Sequence, residues 1–527
     1  MNTDWTRRLF LRTGCLGAAA TLVGSLRAEP TDKRKTDAVE IGSARQLFLD
    51  DRLVDLGKTR GIARTLNQPE CIRRVLQPDQ PWEALGFIFY CSVVDDGGTA
   101  KLYYGSYDAE KKKHFCLATS RDGLTWQRPE LGVQEFQGST QNNLLAPEAV
   151  EASVLLDPHA PSDKRYRLLF THHWPDPARA GVYVASSSDG IHWEITPERV
   201  LPFVPDSQPS AVWDPRLQKF VVYLRTWNPG RAVARVAVSD LAAPWPYDQS
   251  VPPLHIWGKD KVPTLSRELP MVMACDAQDP ANVQLYTSEV VYYPFAPDVY
   301  LAFPAAYRLF KGPEWKGRAL NTNDGTFDVE FAASRDGIAW QRWRRPYVAA
   351  GFCDGLNLRL VNMGQGMLRR GRLLHQYFVG WPHTHGRPVV WDRDPASRAA
   401  WLKRDLGGIY CATQRVDGFV SLDASPAGGT LTTRPLVFAG NRLRLNLHTA
   451  GIGSATVALL DERGNPIPGF AAEDCETIRA DAIDHEVRWK TGADVGALAG
   501  KPLLVQCSMR SAKLYALQFG SDLPPEN

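Results

Sequence analysis

Several features that would point to common functional classes are absent from this chain. Its nine cysteines form no CxxC pair and no metal-ligand spacing, so the sequence does not indicate a zinc or iron–sulfur site. It has no low-complexity tract and no long helical period of apolar residues. The net charge is only +3, and four arginines against one aspartate in residues 1–28 account for it. The remainder is about neutral without a basic stripe, which disfavours a nucleic-acid partner.

The N-terminal segment resembles a twin-arginine export signal. Thr6–Arg12 contains the paired arginines, and the apolar run Cys15–Leu26 that follows is short for a membrane span. With cleavage near Ala28, residues 1–28 are predicted to be a signal peptide and residues 29–43 a polar linker. The mature protein is then expected in the periplasm or outside the cell, without a membrane span. An uncleaved anchor is the alternative.

A motif of seven residues, Ser-x-Asp-Gly-x-x-Trp, recurs along the chain. Asp-Gly offers the positive φ of a tight hairpin turn, and the Trp opens the return strand. Repetition at this scale is typical of a repeat architecture. The full copies are Ser120–Trp126, Ser187–Trp193 and Ser334–Trp340, and degenerate copies lie at Ala234–Asp240 and Tyr410–Gly418.

The segments before each copy predict the fold class. Every copy is preceded by an aromatic, β-branched strand, and that strand by a further apolar strand and turn residues. One unit is therefore a four-stranded blade, and the sequence predicts an all-β protein with a five-bladed β-propeller over residues 44–421. The strand Arg45–Val54 is expected to close the ring against the last blade. A β-sandwich with coincidental Asp-Gly turns is the alternative.

The blade landmarks stop at Leu422. Alternating strands such as Arg442–Leu447 and Ala455–Leu460 follow, so residues 422–521 are predicted to form a β-sandwich that packs on the propeller. Cys475 and Cys507 fall in this unit, and a disulfide between them after export is left open. The sequence does not fix the oligomeric state.

The innermost strands of a propeller open towards one central funnel, so the residues that open them are candidates for ligand binding. Glu151 lies six residues before Asp157 and Gln208 six before Asp214, so the two occupy equivalent positions. A ring of carboxylates and amides suits a polyhydroxylated ligand, a carbohydrate. The predicted binding residues are Asp206, Gln208, Arg225, His172, Asp354 and Asn357.

These features resemble the five-bladed glycosidases of the invertase/levanase and arabinanase/xylosidase type. The resemblance is one of fold and extends over residues from about 45 to 520. It implies a glycoside hydrolase acting on a poly- or oligosaccharide, and it matches the family's acid, which opens an inner strand, to Glu289. Ser207-Gln208-Pro209 stands where invertases have Arg-Asp-Pro, and the family's Asn-Asp-Pro-Asn-Gly motif is absent.

Hydrolysis of a glycosidic bond needs two carboxyl groups. Glu289 is predicted to be the acid, with Glu151 or Glu83 as its partner and Asp51 behind them. Glu151 and Glu289 open strands separated by one blade, which favours the wider gap of about 6.5–9.5 Å and inversion.

Two other functions stay open, a non-catalytic carbohydrate-binding propeller and a polysaccharide lyase. A lyase would place a base such as His172 or Tyr377 beside an arginine in the cavity. No cofactor or metal is expected, with a structural calcium ion as the alternative.

Replacing Arg7 and Arg8 together by lysine should leave the protein in the cytoplasm, because the export route reads the arginine pair. Cell fractionation with immunoblotting measures the distribution. Normal export of the double variant would contradict the signal-peptide prediction.

Overall fold

The computed structural model of the chain describes residues 38–521 with several gaps. The described residues form strands, short 3-10 helices and the α-helical residues 396 and 399–400, so the predicted all-β class is confirmed. None of the described helices is long and apolar enough to cross a membrane. The predicted signal peptide, residues 1–28, and the predicted linker up to residue 37 lie outside the described residues. The gaps are residues 148, 150, 174–175, 229, 256–261, 317–318, 320, 387–395, 397–398 and 401–402.

Four strands precede the first of the four-stranded sheets. β1 to β3 pair with strands formed by residues 420–520, whereas β4 pairs with the strand Gly408–Arg415. The end of the predicted linker is therefore a strand. The bounds are β1 Val39–Gly42, β2 Gln46–Leu47, β3 Ile62–Leu66 and β4 Cys71–Leu76, and the 3-10 helices are Pro81–Glu83, Ser162–Lys164, Pro313–Trp315 and Gly496–Leu498.

Three four-stranded antiparallel sheets follow, each with its strands in sequential order. Alternating apolar residues and short polar turns explain this simple up-and-down pairing. The first sheet holds β5 Phe87–Asp96, β6 Thr99–Tyr107, β7 Lys113–Ser120 and β8 Leu144–Leu145. The second holds β9 Ala152–Leu156, β10 Tyr166–His172, β11 Gly181–Ser187 and β12 Glu194–Ile195. The third holds β13 Ser210–Asp214, β14 Lys219–Trp227, β15 Arg231–Val238 and β16 Met271–Met273.

An eleven-stranded sheet contains two further antiparallel paths of four strands. The remaining strands of this sheet extend the two paths, and a single parallel bridge joins them. In chain order the strands are β17 Val283–Leu285, β18 Val290–Tyr292, β19 Tyr300–Ala302, β20 Ala305–Leu309, β21 Gly325–Ser334, β22 Gln341–Val348, β25 Leu360–Met363, β26 Leu368–Arg370, β27 Leu373–Trp381 and β28 Gly408–Arg415. The paths run β18-β19-β21-β22 and β25-β27-β28-β4, and β23 Gly351–Cys353 with β24 Leu356–Leu358 forms a separate hairpin.

The C-terminal region forms a seven-stranded sheet around its own hydrophobic core. It includes β2 and β3, while β1 pairs in parallel with β31. Cys475 and Cys507 are both free thiols here. The strands are β29 Val420–Ala424, β30 Gly429–Thr432, β31 Leu436–Phe438, β32 Arg442–Leu460, β33 Asp481–Glu486 and β34 Leu504–Gly520.

The prediction that Arg45–Val54 closes the ring against the last blade is wrong. β2 pairs with β34, and Phe48 and Leu53 are fully buried in the C-terminal core, whereas Leu47 and Leu49 on the opposite side join a different core. β4 instead takes the outermost place beside β28. Its residues are mostly exposed or half-buried, as suits an outer strand.

Buried amide side chains tie the innermost strands together. β5 contacts β9 and β25, and β13 contacts β9 and β18. The Nε2 of Gln208 donates to a β5 carbonyl at 3.1 Å and to a β9 carbonyl at 2.5 Å. Gln365 donates through Nε2 to a β18 carbonyl at 2.8 Å and through its backbone N–H to β5 at 2.8 Å. The hydroxyl of Ser210 in β13 donates to Gln365 Oε1. The strand ends are thereby held at fixed positions.

The repeated motif receives a tyrosine from another four-stranded path. In the first copy, Asp122 Oδ1 accepts the N–H groups of Leu124 at 2.8 Å and Thr125 at 2.7 Å, which builds the turn. A tyrosine hydroxyl then donates to the carbonyl of the motif glycine, and the motif tryptophan packs edge-on against that tyrosine. The motif is therefore structural. The pairs are Tyr377 with Gly123 at 2.6 Å, Tyr103 with Gly190 at 3.0 Å and Tyr223 with Gly337 at 2.9 Å.

Gly190→Ala should destabilise the protein more than Gly97→Ala, because both glycines have positive φ but only one touches a tyrosine. A Cβ at Gly190 would collide with the Tyr103 hydroxyl, whereas nothing lies within 4 Å of one at Gly97. Backbone strain costs about 1–2 kcal/mol at either position. We expect about 1–3 kcal/mol more at Gly190 from overpacking, measured by denaturant unfolding. Equal losses would contradict the inter-sheet role of the motif.

Candidate active site

Two predicted site residues and the histidine His173 come together near the starts of β9 and β13. Glu151 directly precedes β9, His173 directly follows β10, and Asp206 lies in the loop before β13. The candidate ligand atoms of these three side chains all lie within 4.8 Å of one another. We call Glu151, His173 and Asp206 the carboxylate cluster. Asp206 keeps 27% of its side chain exposed, so the cluster reaches solvent.

Each carboxylate of the cluster has a cationic or ionisable partner. Glu151 Oε2 lies 3.1 Å from His173 Nε2, and Arg225 Nη1 donates to Asp206 Oδ2 at 2.9 Å. Arg225 is only 3% exposed, and its Nε donates to the Tyr286 carbonyl at 2.9 Å. Its guanidinium lies 4.0 Å above the Tyr286 ring. Arg225 is therefore held rigidly at the edge of the cluster.

The surroundings separate the pKa values of the two carboxyls. Burial raises the pKa of Glu151, but the positive charges of His173, Lys113 and Arg225 outweigh it and lower the value to about 2. For Asp206, burial and the negative charge of Glu151 outweigh Arg225 and raise the pKa to about 6. Burial lowers the pKa of His173, yet Glu151 raises it overall. Glu151 is thus ionised at pH values where Asp206 still carries a proton.

Aromatic rings border the cluster on the Tyr286 side. His385 Nε2 lies 3.0 Å from the Tyr286 hydroxyl and its Nδ1 lies 2.9 Å from the Asn323 carbonyl. The carbonyl can only accept, so Nδ1 carries the proton and the tyrosine donates to Nε2. Burial lowers the pKa of His385 to about 4, so the ring is neutral. It stacks on Phe89 with 5.7 Å between the ring centroids.

The structure places Glu83 and Asp51 outside the cluster, which corrects their predicted catalytic role. Glu83 is fully buried, and its oxygens accept from Arg128 at 2.9 and 2.8 Å and from the Tyr104 hydroxyl at 2.7 Å. It is a structural ion-pair residue. Asp51 is about half exposed and pairs with Arg64 beside the C-terminal sheet.

Asp354 and Asn357 are likewise outside the cluster, although both were predicted to bind the ligand. They belong to the hairpin β23–β24, whereas the inner strand β25 begins only at Leu360. Asp354 Oδ2 accepts the backbone N–H of Arg74 at 2.8 Å, in the outermost strand β4. Asn357 is exposed. The error arose because this short hairpin reads like the start of an inner strand.

His172 and Gln208 have other roles than those predicted. His172 packs against Tyr183 with 6.3 Å between ring centroids, whereas the neighbouring His173 faces Glu151. Adjacent strand residues point to opposite faces, and only the pairing register decides which one faces the site. Gln208 holds strands together through Nε2, as described above. Lys113 and Arg231, also missed, are discussed below.

Glu289 lies at the start of β18 in a left-handed conformation, with φ of 39°. It is 1% exposed, and neither carboxyl oxygen has a hydrogen-bond partner within the described part of the chain. Burial raises the pKa of Glu289 well above its usual range. Glu289 is thus a neutral, enclosed acid near the inner strands.

Comparisons with known proteins define no family for the chain. No family model matches it. Uncharacterised proteins of two Mycobacterium tuberculosis strains are 27% identical over 147 residues, which cover 25% of this chain and 45% of theirs. The chain therefore spans about half the length of the curated relatives it matches.

Solved structures similar to the chain are glycoside hydrolases. A glycosyl hydrolase from Bacteroides ovatus is 14% identical, with 67% of this chain and 93% of that chain covered and a TM-score of 0.37. A structure from the GH130 family of mannoside phosphorylases and glycoside hydrolases is 12% identical, with 67% and 94% covered and a TM-score of 0.38. A thermostable family-43 glycoside hydrolase is 11% identical, with 62% and 89% covered and a TM-score of 0.37. Likenesses at this level carry no argument about activity.

Glu289→Gln should make the protein more stable than the wild type at pH 8, with the difference vanishing near pH 4. The folded-state pKa of Glu289 is raised, so the wild type loses stability as pH rises above the unfolded value. The loss grows by about 1.4 kcal/mol per pH unit until the folded carboxyl ionises. Thermal melting across this pH range measures it. A pH-independent difference would show that Glu289 is not enclosed as an acid.

Proposed function

We propose that the protein is an exported glycoside hydrolase that cleaves a poly- or oligosaccharide by acid/base chemistry. The observation that carries the proposal is the pairing of Glu151 with Asp206 at the openings of two inner strands, within 4.8 Å of each other. Cleavage of a glycosidic bond needs one protonated and one ionised carboxyl. The different surroundings of these two residues supply that division.

We further propose that the site lies at the centre of a five-bladed β-propeller followed by a β-sandwich. Five antiparallel paths of four strands support this arrangement, with inner strands β5, β9, β13, β18 and β25. Successive contacts and the hydrogen bonds of Gln208 and Gln365 join these inner strands. In this arrangement β4 closes the ring. Export by the twin-arginine route to the periplasm or beyond is proposed on the N-terminal sequence alone.

In the proposed reaction Asp206 donates its proton to the glycosidic oxygen while the Glu151 carboxylate attacks the anomeric carbon. The bond to the leaving sugar breaks, and its electron pair takes up that proton. Asp206, now ionised, then removes a proton from a water molecule that hydrolyses the glycosyl ester on Glu151. One oxygen of each carboxyl lies within 4.8 Å of the other, which favours the narrower gap of about 5–5.5 Å that accompanies retention over the wider gap of inversion. This differs from the inversion expected for Glu151 with Glu289.

Glu289, the acid predicted from the sequence, is the alternative proton donor. Its raised pKa meets the chemical requirement, but its 1% exposure leaves it enclosed. Asp206 combines a raised pKa with an exposed edge, so we assign the acid role to Asp206. Glu289→Gln should then leave turnover close to that of the wild type.

A polysaccharide lyase is the second candidate, because a lyase needs a base beside an arginine. His173 lies in the carboxylate cluster, and Arg225 binds Asp206 of the same cluster. The bases named from the sequence do not serve this role: Tyr377 donates to the Gly123 carbonyl at 2.6 Å, and His172 packs on Tyr183. A lyase yields an unsaturated sugar, whose ultraviolet absorbance separates it from a hydrolysis product.

Release of reducing ends from a panel of plant and algal glycans tests the proposed hydrolase. Asp206→Asn and Glu151→Gln should each lower turnover by about 10²–10⁴-fold, because each removes one half of the acid/base pair. The matched control Asp354→Asn changes a carboxyl that binds only the backbone of Arg74 and should be neutral. Turnover should fall as pH rises above about 6, where Asp206 loses its proton. NMR of the first-formed anomer reports retention. Unchanged turnover in both cluster variants would refute the assignment.

A further inference from the structure

We propose that the site binds a negatively charged sugar, a uronic acid or a sulfated sugar, and that Lys113 and Arg225 hold its anionic group. The inference rests on the proposed function and deepens it by naming the substrate class. Three observations carry it: the balance of charge around the cluster, and an ammonium group and a guanidinium nitrogen that have no hydrogen-bond partner among the described residues.

Cations outnumber anions around the carboxylate cluster. The cluster contributes two carboxyls, and three side chains that are cationic at neutral pH act on them: Lys113, Arg225 and Arg231. His173 adds part of a further positive charge through its bond to Glu151. With Asp206 protonated the excess is larger still. An excess of enclosed positive charge is energetically costly, and the hydroxyls of a neutral sugar would not neutralise it. An anionic group on the ligand would.

The ammonium group of Lys113 lies within electrostatic reach of the cluster. It opens β7 and is half-buried, and the negative charges of Glu151 and Asp206 act on it strongly enough to raise its pKa despite burial. Its Nζ makes no hydrogen bond or ion pair within the described residues, whereas Lys101 in the preceding strand pairs with Asp96 at 3.2 Å. Lys113 is therefore available for a ligand.

Arg225 offers a second donor of fixed geometry. Its Nη1 and Nε bind Asp206 and the Tyr286 carbonyl, but its buried Nη2 has no partner in the described structure. The neighbouring Arg231 stacks at 4.4 Å on Trp227, and its Nε is likewise without a partner there. A guanidinium fork matches the planar oxygens of a carboxylate and also binds a sulfate ester. Both anions therefore fit these donors.

The cluster could also be considered for a divalent metal ion, since a histidine and two carboxylates lie within 4.8 Å of one another. The charges favour an anion instead. Arg225 already donates to Asp206 at 2.9 Å and His173 engages Glu151 at 3.1 Å. A metal would have to displace both partners and would be repelled by the cations around the cluster.

Calorimetric binding tests the inference without requiring turnover. The ligands are trisaccharides of galacturonate, glucuronate and mannuronate, the carboxyl-reduced neutral form of each, and a sulfated galactan trisaccharide. At least one anionic trisaccharide should bind more than tenfold tighter than its neutral counterpart, and the uronate and sulfate arms identify the anion. The inference is overturned if every anionic ligand binds no more tightly than its neutral counterpart, or if no anionic ligand binds.

Variants of Lys113 assign the preference to the site. Lys113→Met should abolish the preference for anionic ligands. Lys113→Arg should keep this preference, because arginine has the same charge as lysine. The matched control is Lys112→Met, one residue earlier and exposed, which should keep the full preference. Melting temperatures check that each variant folds. A preference that survives Lys113→Met overturns the assignment.

Binding and cleavage separate this inference from the proposed hydrolase. Preferential binding of an anionic trisaccharide without release of reducing ends supports the anionic site while the hydrolase proposal fails. Cleavage of neutral glycans without any charge preference supports the hydrolase and overturns the anionic site. Tighter binding only when Zn²⁺ or Mn²⁺ is added would also overturn it in favour of a metal site.

Discussion

The hydrogen bonds of Gln208 and Gln365 are the constraint on which the candidate site depends. Each glutamine reaches across to buried backbone carbonyls of neighbouring inner strands and donates to them. These bonds fix where the inner strands begin, and the residues placed there include Glu151 and Asp206. Gln208 also explains a sequence departure, because an ionised aspartate cannot donate to two carbonyls. Glutamine at this position is a structural donor.

The chemistry of the site follows from unequal surroundings of two similar groups. Glu151 is almost enclosed but is stabilised as an anion by His173 and two further cations. Asp206 is destabilised as an anion by burial and by Glu151, in spite of Arg225. The same cations that lower one pKa exceed the negative charge available within the cluster. The proposed acid/base division and the proposed preference for an anionic ligand thus have one electrostatic origin.

The sequence predicted the strands, the Asp-Gly turns and two members of the cluster, because alternation, turn chemistry and position before a strand are local signals. It could not predict the tyrosine that each full motif receives from another sheet, since that contact joins distant segments. His172 was chosen over His173 because the face of a strand residue depends on register. Likewise, the place of Arg45–Val54 depended on which core its apolar residues would join.

Carboxyls were the hardest residues to assign from sequence. Glu83 and Asp354 occupy positions that look like strand openings, yet one neutralises Arg128 and the other caps the backbone of Arg74. Lys113 is the first residue of β7, the third strand of its sheet, and it belongs to no sequence motif. Only the folded arrangement brings its charge to Glu151. Function in this chain is therefore encoded in long-range placement more than in local pattern.

The central claim is that Glu151 and Asp206 act on one sugar ring. A crystal structure of the Asp206→Asn variant with a bound oligosaccharide tests it most directly. The account predicts the scissile oxygen at about 3 Å from the side-chain amide at position 206, within hydrogen-bond reach. It also predicts the anomeric carbon facing Glu151 and an anionic substituent against Lys113. An oligosaccharide bound away from Glu151, or with its glycosidic bond beside Glu289 instead, would contradict the account.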